Sequence, residues 1–238
     1  MINFNTQNIK IIALIPARAG SKGIPGKNLR SVNGIPLIEF TINAASSSQY
    51  IDEIYLSSDS EDILNLGINL GCKTLKRPLK YSDDHSSAVD VVNHFLNEKC
   101  DQDTNILIIY LQPTSPLRTN IHIDQAIELI KLENLTSLVS VVEMEKSPYK
   151  SFKIDLNGRL LSLFDEQLSN SRRQDLPVCY VPNGAIYVFS KKQFIEHGGF
   201  PSNGSIPYVM SADESLDIDT EADILKLEEI LRKKNGRV

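Results

Sequence analysis

The 238-residue sequence contains no tryptophan and only three cysteines, Cys72, Cys100 and Cys179. Without tryptophan, a lectin that stacks sugars on indole rings loses its usual platform. The cysteines are odd in number and far apart. They suggest neither a disulfide framework nor a zinc site, and a reducing cytoplasm is the expected compartment. The histidines, His85, His94, His122 and His197, show no metal-ligand spacing. No apolar run approaches the roughly 20 residues that span a bilayer. The start, MINFNTQNIKIIALIP, lacks a basic n-region, a long apolar stretch and a small-residue cleavage site, so no signal peptide and no membrane partner are expected. Positive charge is not in excess: the formal net charge is -5, which argues against nucleic acid as a partner. No G-x-S-x-G motif is present, leaving serine hydrolysis without support.

What remains is an ordinary globular composition, 41% hydrophobic and 23% charged, in a chain long enough for a large core. Apolar runs alternate with segments of helical period. Strands are expected over residues 11–15, 54–56, 72–75, 106–111, 137–142 and 183–189, with Tyr208-Val209-Met210 as a late addition. Helices are expected from about residue 37, from Ser57-Ser58-Asp59 as a cap through about Leu70, over 89–96 and 121–132, and after Thr220 or Asp219 as a cap. The first run, Ile11-Ile12-Ala13-Leu14-Ile15, has no polar position, as in a parallel strand buried on both faces. Strands joined through helices by short links imply an α/β fold with a doubly wound, mostly parallel sheet. In such sheets ligands bind beyond the carboxyl ends of the strands. From Ser147 to Pro182 the alternation fades and prolines accumulate. The chain therefore divides into a first part of the core, 1–147, an inserted element, 148–182, and a second part, 183–238.

The densest cluster of special residues follows the first strand. Residues 16–30 read PARAGSKGIPGKNLR, with Arg18, Lys22, Lys27 and Arg30 as cations, glycines at 20, 23 and 26, and no acid. Exposed backbone N–H groups and concentrated positive charge suit a polyanion, most simply a nucleotide triphosphate. The loop is neither a Walker A motif, since Asn28 follows the glycine-lysine pair, nor a Rossmann G-x-G-x-x-G. Asp217 and Asp219 flank Ile218; in extended chain, residues i and i+2 point the same way, so two carboxylates would face one metal ion. Gln112-Pro113-Thr114-Ser115-Pro116-Leu117-Arg118 ends the best strand and offers polar side chains to a base or sugar. Arg77-Pro78 with Ser82, Asp84, Ser86 and Ser87 forms a further polar segment.

The stretch from Pro16 to Asn28 resembles the N-terminal signature of the acylneuraminate cytidylyltransferases, the CMP-sialic acid synthetases. Arg77-Pro78, the segment 112–118, Pro182-Asn183-Gly184-Ala185-Ile186-Tyr187 and Asp217-Ile218-Asp219-Thr220 occur in the family's order at similar spacings. The resemblance implies a Rossmann-like nucleotidyltransferase fold and transfer of CMP from CTP to the anomeric hydroxyl of a nine-carbon 2-keto sugar acid. It implies that Arg18, Ser21, Lys22, Lys27 and Asn28 hold the triphosphate, that Arg77 and Ser87 meet the base, and that Gln112 meets the sugar acid. Lys27 and Arg18 would be catalytic together with Asp217 and Asp219, which would also hold Mg²⁺, or Mn²⁺. The inserted element would make a homodimer and bring Lys150 and Arg173 into the partner's site. One position departs from the sialic acid enzymes: Val181 stands where they carry arginine. That makes legionaminic or pseudaminic acid the alternative acceptor. A cytidylyltransferase for the eight-carbon acid Kdo and an inactive nucleotide-binding protein are the remaining rivals.

Overall fold

The computed structural model describes residues 9–21, 23–83, 86–100, 105–234 and 236. The elements run β1 (Lys10–Pro16), β2 (Ser31–Val32), β3 (Ile35–Pro36), α1 (Leu37–Ser46), β4 (Glu53–Ser58), α2 (Glu61–Asn69), β5 (Lys73–Lys76), α3 (Ala88–Lys99) and β6 (Ile106–Tyr110). They continue with α4 (Asn120–Glu133), β7 (Ser137–Glu143), β8 (Phe152–Ile154), β9 (Leu160–Ser162), α5 (Glu166–Asn170), β10 (Tyr180–Ser190), α6 (Lys191–His197), β11 (Ile206–Val209) and α7 (Glu221–Lys234). One sheet of seven strands has the order β11-β7-β10-β6-β1-β4-β5. All neighbours are parallel except β10, which runs antiparallel to both β6 and β7.

The two-residue period of β1 explains why helices cover both faces. Ile11, Ala13 and Ile15 pack with Ile38 and Ile42 of α1 and Ile123 and Ile127 of α4. Ile12 and Leu14 face the other way, onto Val92 and Phe95 of α3 and Phe194 of α6. A strand between two apolar layers has no solvent side, and its sequence needs no polar alternation.

A third apolar cluster sits away from the two faces and matters most for the site. It joins Ile24, from the glycine-rich loop, to Leu117, Leu216, Ile218, Ile224 and Leu227. Ile24 and Ile218 are 1% and 0% exposed. Burying each contributes about 1.5–3 kcal/mol, and the pair fastens the first loop to a segment almost 200 positions later in the chain.

One local expectation changes, and two details are added. The cap of α2 is Ser60, whose Oγ accepts from Ile63 N at 3.4 Å; Ser57 and Ser58 remain in β4, and Asp59 turns to the first loop. At the start of α7 the acid lies inside the helix: Asp223 accepts from the N–H groups of Asp219 and Thr220 and from the Thr220 hydroxyl. The chain before α1 also forms a small hairpin, β2–β3, turning through Asn33 and Gly34 at φ 48° and 88°. An Asn-Gly pair accepts the left-handed conformation such a turn requires.

The inserted element is a hairpin, β8–β9, followed by the short α5. Its apolar side chains stand in solvent: Ile154 is 72% exposed and Leu160 71%. Strand β10 starts at Tyr180 and pairs at once with the end of β7, and its ladder is interrupted by a bulge between Pro182 and Tyr187.

Candidate active site

The loop leaving β1 is held by its neighbours. Ala17 N donates to Ser57 O at 2.9 Å and Ala19 N to Asp59 Oδ1 at 2.8 Å, tying it to the end of β4. Asn28, only 9% exposed, donates from Nδ2 to Arg18 O at 2.9 Å and so closes the loop on itself. Arg18 Nη1 donates to Asp83 O at 3.0 Å. Gly23 lies against Asp219, where a Cβ would collide with the Asp219 carbonyl oxygen. This glycine is required by contact rather than by its backbone angles.

The acidic segment approaches from the other side. Ile218 N donates to Thr114 O at 2.9 Å. Because Ile218 points into the core, Asp217 and Asp219 point out of it together, as an extended chain demands. Lys27 spans the gap: its Nζ lies 2.7 Å from Ile218 O and 3.1 Å from Asp219 Oδ1.

The result is a cleft of about 320 Å³ lined by Pro16, Arg18, Gly20, Ser21, Lys27, Asn28, Gln112, Pro113, Thr114, Asp217 and Asp219. Cations occupy one wall and carboxylates the other. Asp217 has surface open to the cleft, yet the surrounding walls desolvate it. That burial, reinforced by the charge of Asp219, raises its pKa above the usual carboxylate value, against a hydrogen bond with Thr114 and the charge of Lys27. Tyr187 stands close enough that the charge of Asp217 adds to burial in raising its phenol pKa.

The structure therefore brings Arg18, Ser21, Lys27, Asn28, Gln112, Asp217 and Asp219 into one cleft. Lys22, Asp84 and His85 lie outside the described residues. Arg77 is 5% exposed, and burial pulls its guanidinium below the usual value; it is not among the cleft's walls. The Ser87 hydroxyl is committed to a capping box, accepting from Asp90 N at 3.2 Å and donating to Asp90 Oδ2 at 2.7 Å. Lys150 and Arg173 sit on the inserted element, away from the cleft of their own chain, and Arg173 Nη2 donates to Glu145 O.

Sequence reasoning missed Thr114, Tyr187 and Arg118. Thr114 and Tyr187 lay inside motifs whose other members drew attention. Arg118 looked like the end of a turn and is a buried cation, 2% exposed.

A doubly wound sheet with a cationic glycine-rich loop and paired carboxylates beyond its strand ends defines an α/β protein with its candidate site in the usual place for such sheets. The cytidylyltransferase family model matches residues 12–197, and the chain belongs to that family. It is 35% identical over 227 residues to the N-acylneuraminate cytidylyltransferase of Escherichia coli, covering 95% of this chain and 53% of that protein. It is also 35% identical over 226 residues to the CMP-N,N'-diacetyllegionaminic acid synthase of Legionella pneumophila, covering 94% of this chain and 97% of that one. The chain spans about half the length of several curated relatives, 52% in the case of the N-acylneuraminate cytidylyltransferase of Streptococcus agalactiae. Among solved structures, a CMP:2-keto-3-deoxy-manno-octonic acid synthetase complexed with CTP superimposes with a TM-score of 0.68 at 18% identity, over 94% of this chain and 99% of that one. The likeness confirms the Rossmann-like nucleotidyltransferase fold.

Proposed function

We propose that this chain transfers CMP from CTP to the anomeric hydroxyl of a nonulosonic acid and releases pyrophosphate. The observation that carries the reading is the single cleft uniting Arg18, Ser21, Lys27 and Asn28 with Gln112, Asp217 and Asp219. The first group suits a triphosphate, and Gln112 suits a polyhydroxylated acid. Both substrates are anions, so the chemistry consists of positioning them in line and offsetting charge. Lys27 and Arg18 neutralise the phosphates and the departing pyrophosphate. Arg77, in the polar segment after β5, serves the base.

The residues present fit a divalent cation. No cluster of three or more His, Cys, Asp or Glu groups that could hold a metal occurs among the described residues. Two carboxylates with the remaining positions left to phosphate oxygens and water is the pattern Mg²⁺ favours, and Mn²⁺ would also be accepted. Asp217 and Asp219 would hold the ion, which would polarise the α-phosphate. The raised pKa of Asp217 supports this, since a carboxylate desolvated beside another acid gains from an opposing cation.

The inserted element is the basis for proposing a homodimer. Phe152, Ile154, Leu160 and Phe164 are 48%, 72%, 71% and 56% exposed on a hairpin and the turn after it. A second copy covering them would bring Lys150 and Arg173 to the neighbouring cleft. The odd number and wide spacing of the cysteines are the basis for proposing a cytoplasmic location. No helix among the described residues is long and apolar enough to cross a membrane.

Val181 carries a second reading for the acceptor. It lies at the start of β10, 41% exposed, and offers no charge to a polar sugar chain. A less polar ring, as in legionaminic or pseudaminic acid, is as compatible with it as N-acetylneuraminic acid. The test is pyrophosphate release with CTP, Mg²⁺ and each of these acids and Kdo in parallel. The reading predicts release with at least one nine-carbon acid; no release with any, from folded protein, overturns it.

A further inference from the structure

Beneath the acceptor side of the cleft lies a charge with no counter-ion among the described residues. Arg118 is 2% exposed, and its hydrogen bonds all end on neutral oxygens. Nη1 donates to Gln112 O at 3.1 Å and to Ala185 O at 2.9 Å, and Nη2 donates to Thr41 Oγ1 at 2.6 Å. Nε has no partner. Burial alone pulls its pKa down to about 9, so the group stays charged at neutral pH.

A buried cation without a carboxylate is costly, and a neutral donor joining two carbonyls would cost less. The position of the fork explains its use. Nη1 alone holds both the backbone of Gln112 and the chain after Gly184, at Ala185 O, while Nη2 holds Thr41 of α1. Gly184 has φ 77°, and a Cβ there would stand 2.5 Å from Gln112 Oε1. The Gln112 side chain therefore lies directly over the glycine, in a place set by the register between the two segments. A planar guanidinium with fixed donor directions sets that register, which a lysine ammonium cannot do.

We propose that Arg118 is a positioning residue for the acceptor acid. It locks the Gln112 and Gly184 segments together from below and places a fixed positive charge under the acid's binding site. This rests on the acceptor reading given above for Gln112.

The test compares wild type with Arg118→Lys in steady-state kinetics, varying acid and CTP separately, with thermal melting and backbone hydrogen exchange alongside. The KM for the acid should rise at least about tenfold, as expected for loss of a charge-assisted hydrogen bond. The KM for CTP should stay within about twofold of wild type, and the amides of 112–118 and 183–187 should exchange faster together. A merely structural role would lower Tm and the active fraction while leaving the ratio of the two KM values unchanged, and that result overturns the proposal. If Arg118→Lys does not fold, Thr41→Val removes one acceptor and leaves the fork. It should raise the acid KM about threefold with no change for CTP, and an unchanged acid KM overturns the proposal. Wild type inactive with every acid would overturn the functional reading alone. Hydrogen exchange then decides on Arg118, and wild-type exchange at both segments of Arg118→Lys counts against it.

Discussion

Lys27 and Asp219, 192 residues apart, meet across the cleft with Nζ 3.1 Å from Oδ1. The lysine is the enclosed partner, its side chain 12% exposed against 72% for the aspartate. An ion pair with one member this open contributes about 0–1 kcal/mol to stability. Its importance is positional: the pair joins the phosphate wall to the carboxylate wall.

Lys27→Ala should therefore cost only about 1–2 kcal/mol of stability, through the ion pair and the bond to Ile218 O, and lower kcat about 10²–10³-fold, the cost of losing one donor aimed at developing charge. Pyrophosphate release beside a thermal melt checks both halves. A large fall in Tm with little loss of rate would make Lys27 a structural residue.

Gly23→Ala probes the contact between the same walls. The added methyl meets the Asp219 carbonyl oxygen, which is backbone and has little room to retreat. Overpacking of this kind costs about 1–3 kcal/mol, and the displaced Asp219 should weaken Mg²⁺ binding as well. Gly20→Ala is the control, because no atom of the described residues lies within 4 Å of a Cβ there. Equal melting temperatures for the two variants would contradict the close approach.

Asp217 gives a pH test. Its folded pKa is raised, chiefly by burial, so folding disfavours the charged form. Its contribution to stability is present below the unfolded value of about 3.9 and is lost as pH rises through the raised value. At neutral pH without metal, Asp217→Asn should melt higher than wild type while losing metal-dependent activity. Mg²⁺ affinity of the wild type should fall as pH drops through that raised pKa, because the ion competes with a proton. Calorimetric titrations of Mg²⁺ at several pH values read this directly, and a pH-independent affinity would contradict it.

The solvent-exposed hairpin gives an assembly test. Ile154→Asp together with Leu160→Asp should yield a folded monomer by sedimentation, with activity reduced if Lys150 and Arg173 act across the interface. Wild type sedimenting as a monomer would remove the dimer from the proposal.

The core was legible because burial leaves a plain signal. The run from Ile11 to Ile15 has no polar position, and only a strand covered on both faces tolerates that. The cleft was legible for a different reason: the residue types that hold polyanions and metals gather in short motifs. What the motifs did not disclose was how they meet. Ile24 and Ile218 do that work, and an isoleucine inside a glycine-rich loop or between two aspartates looks like filler until the cluster is seen. Arg118 escaped because charge at the end of a turn is ordinarily solvated. Ser60 displaced the expected cap because β4 continues through Ser58 and leaves the later serine to receive Ile63 N. Ser87 illustrates the reverse, since a serine before a helix with an acid three residues on is a capping box whatever else it does. Ser87→Ala should cost about 1 kcal/mol through the cap alone.

The most direct measurement follows the α-phosphorus of CTP by ³¹P NMR, with Mg²⁺ and a nine-carbon 2-keto sugar acid present or withheld. The account predicts that a phosphodiester signal and pyrophosphate appear in equal amounts, and only when the acid is present. CTP that stays intact with every acid of the panel, or that breaks down to CMP regardless of the acid, would contradict it.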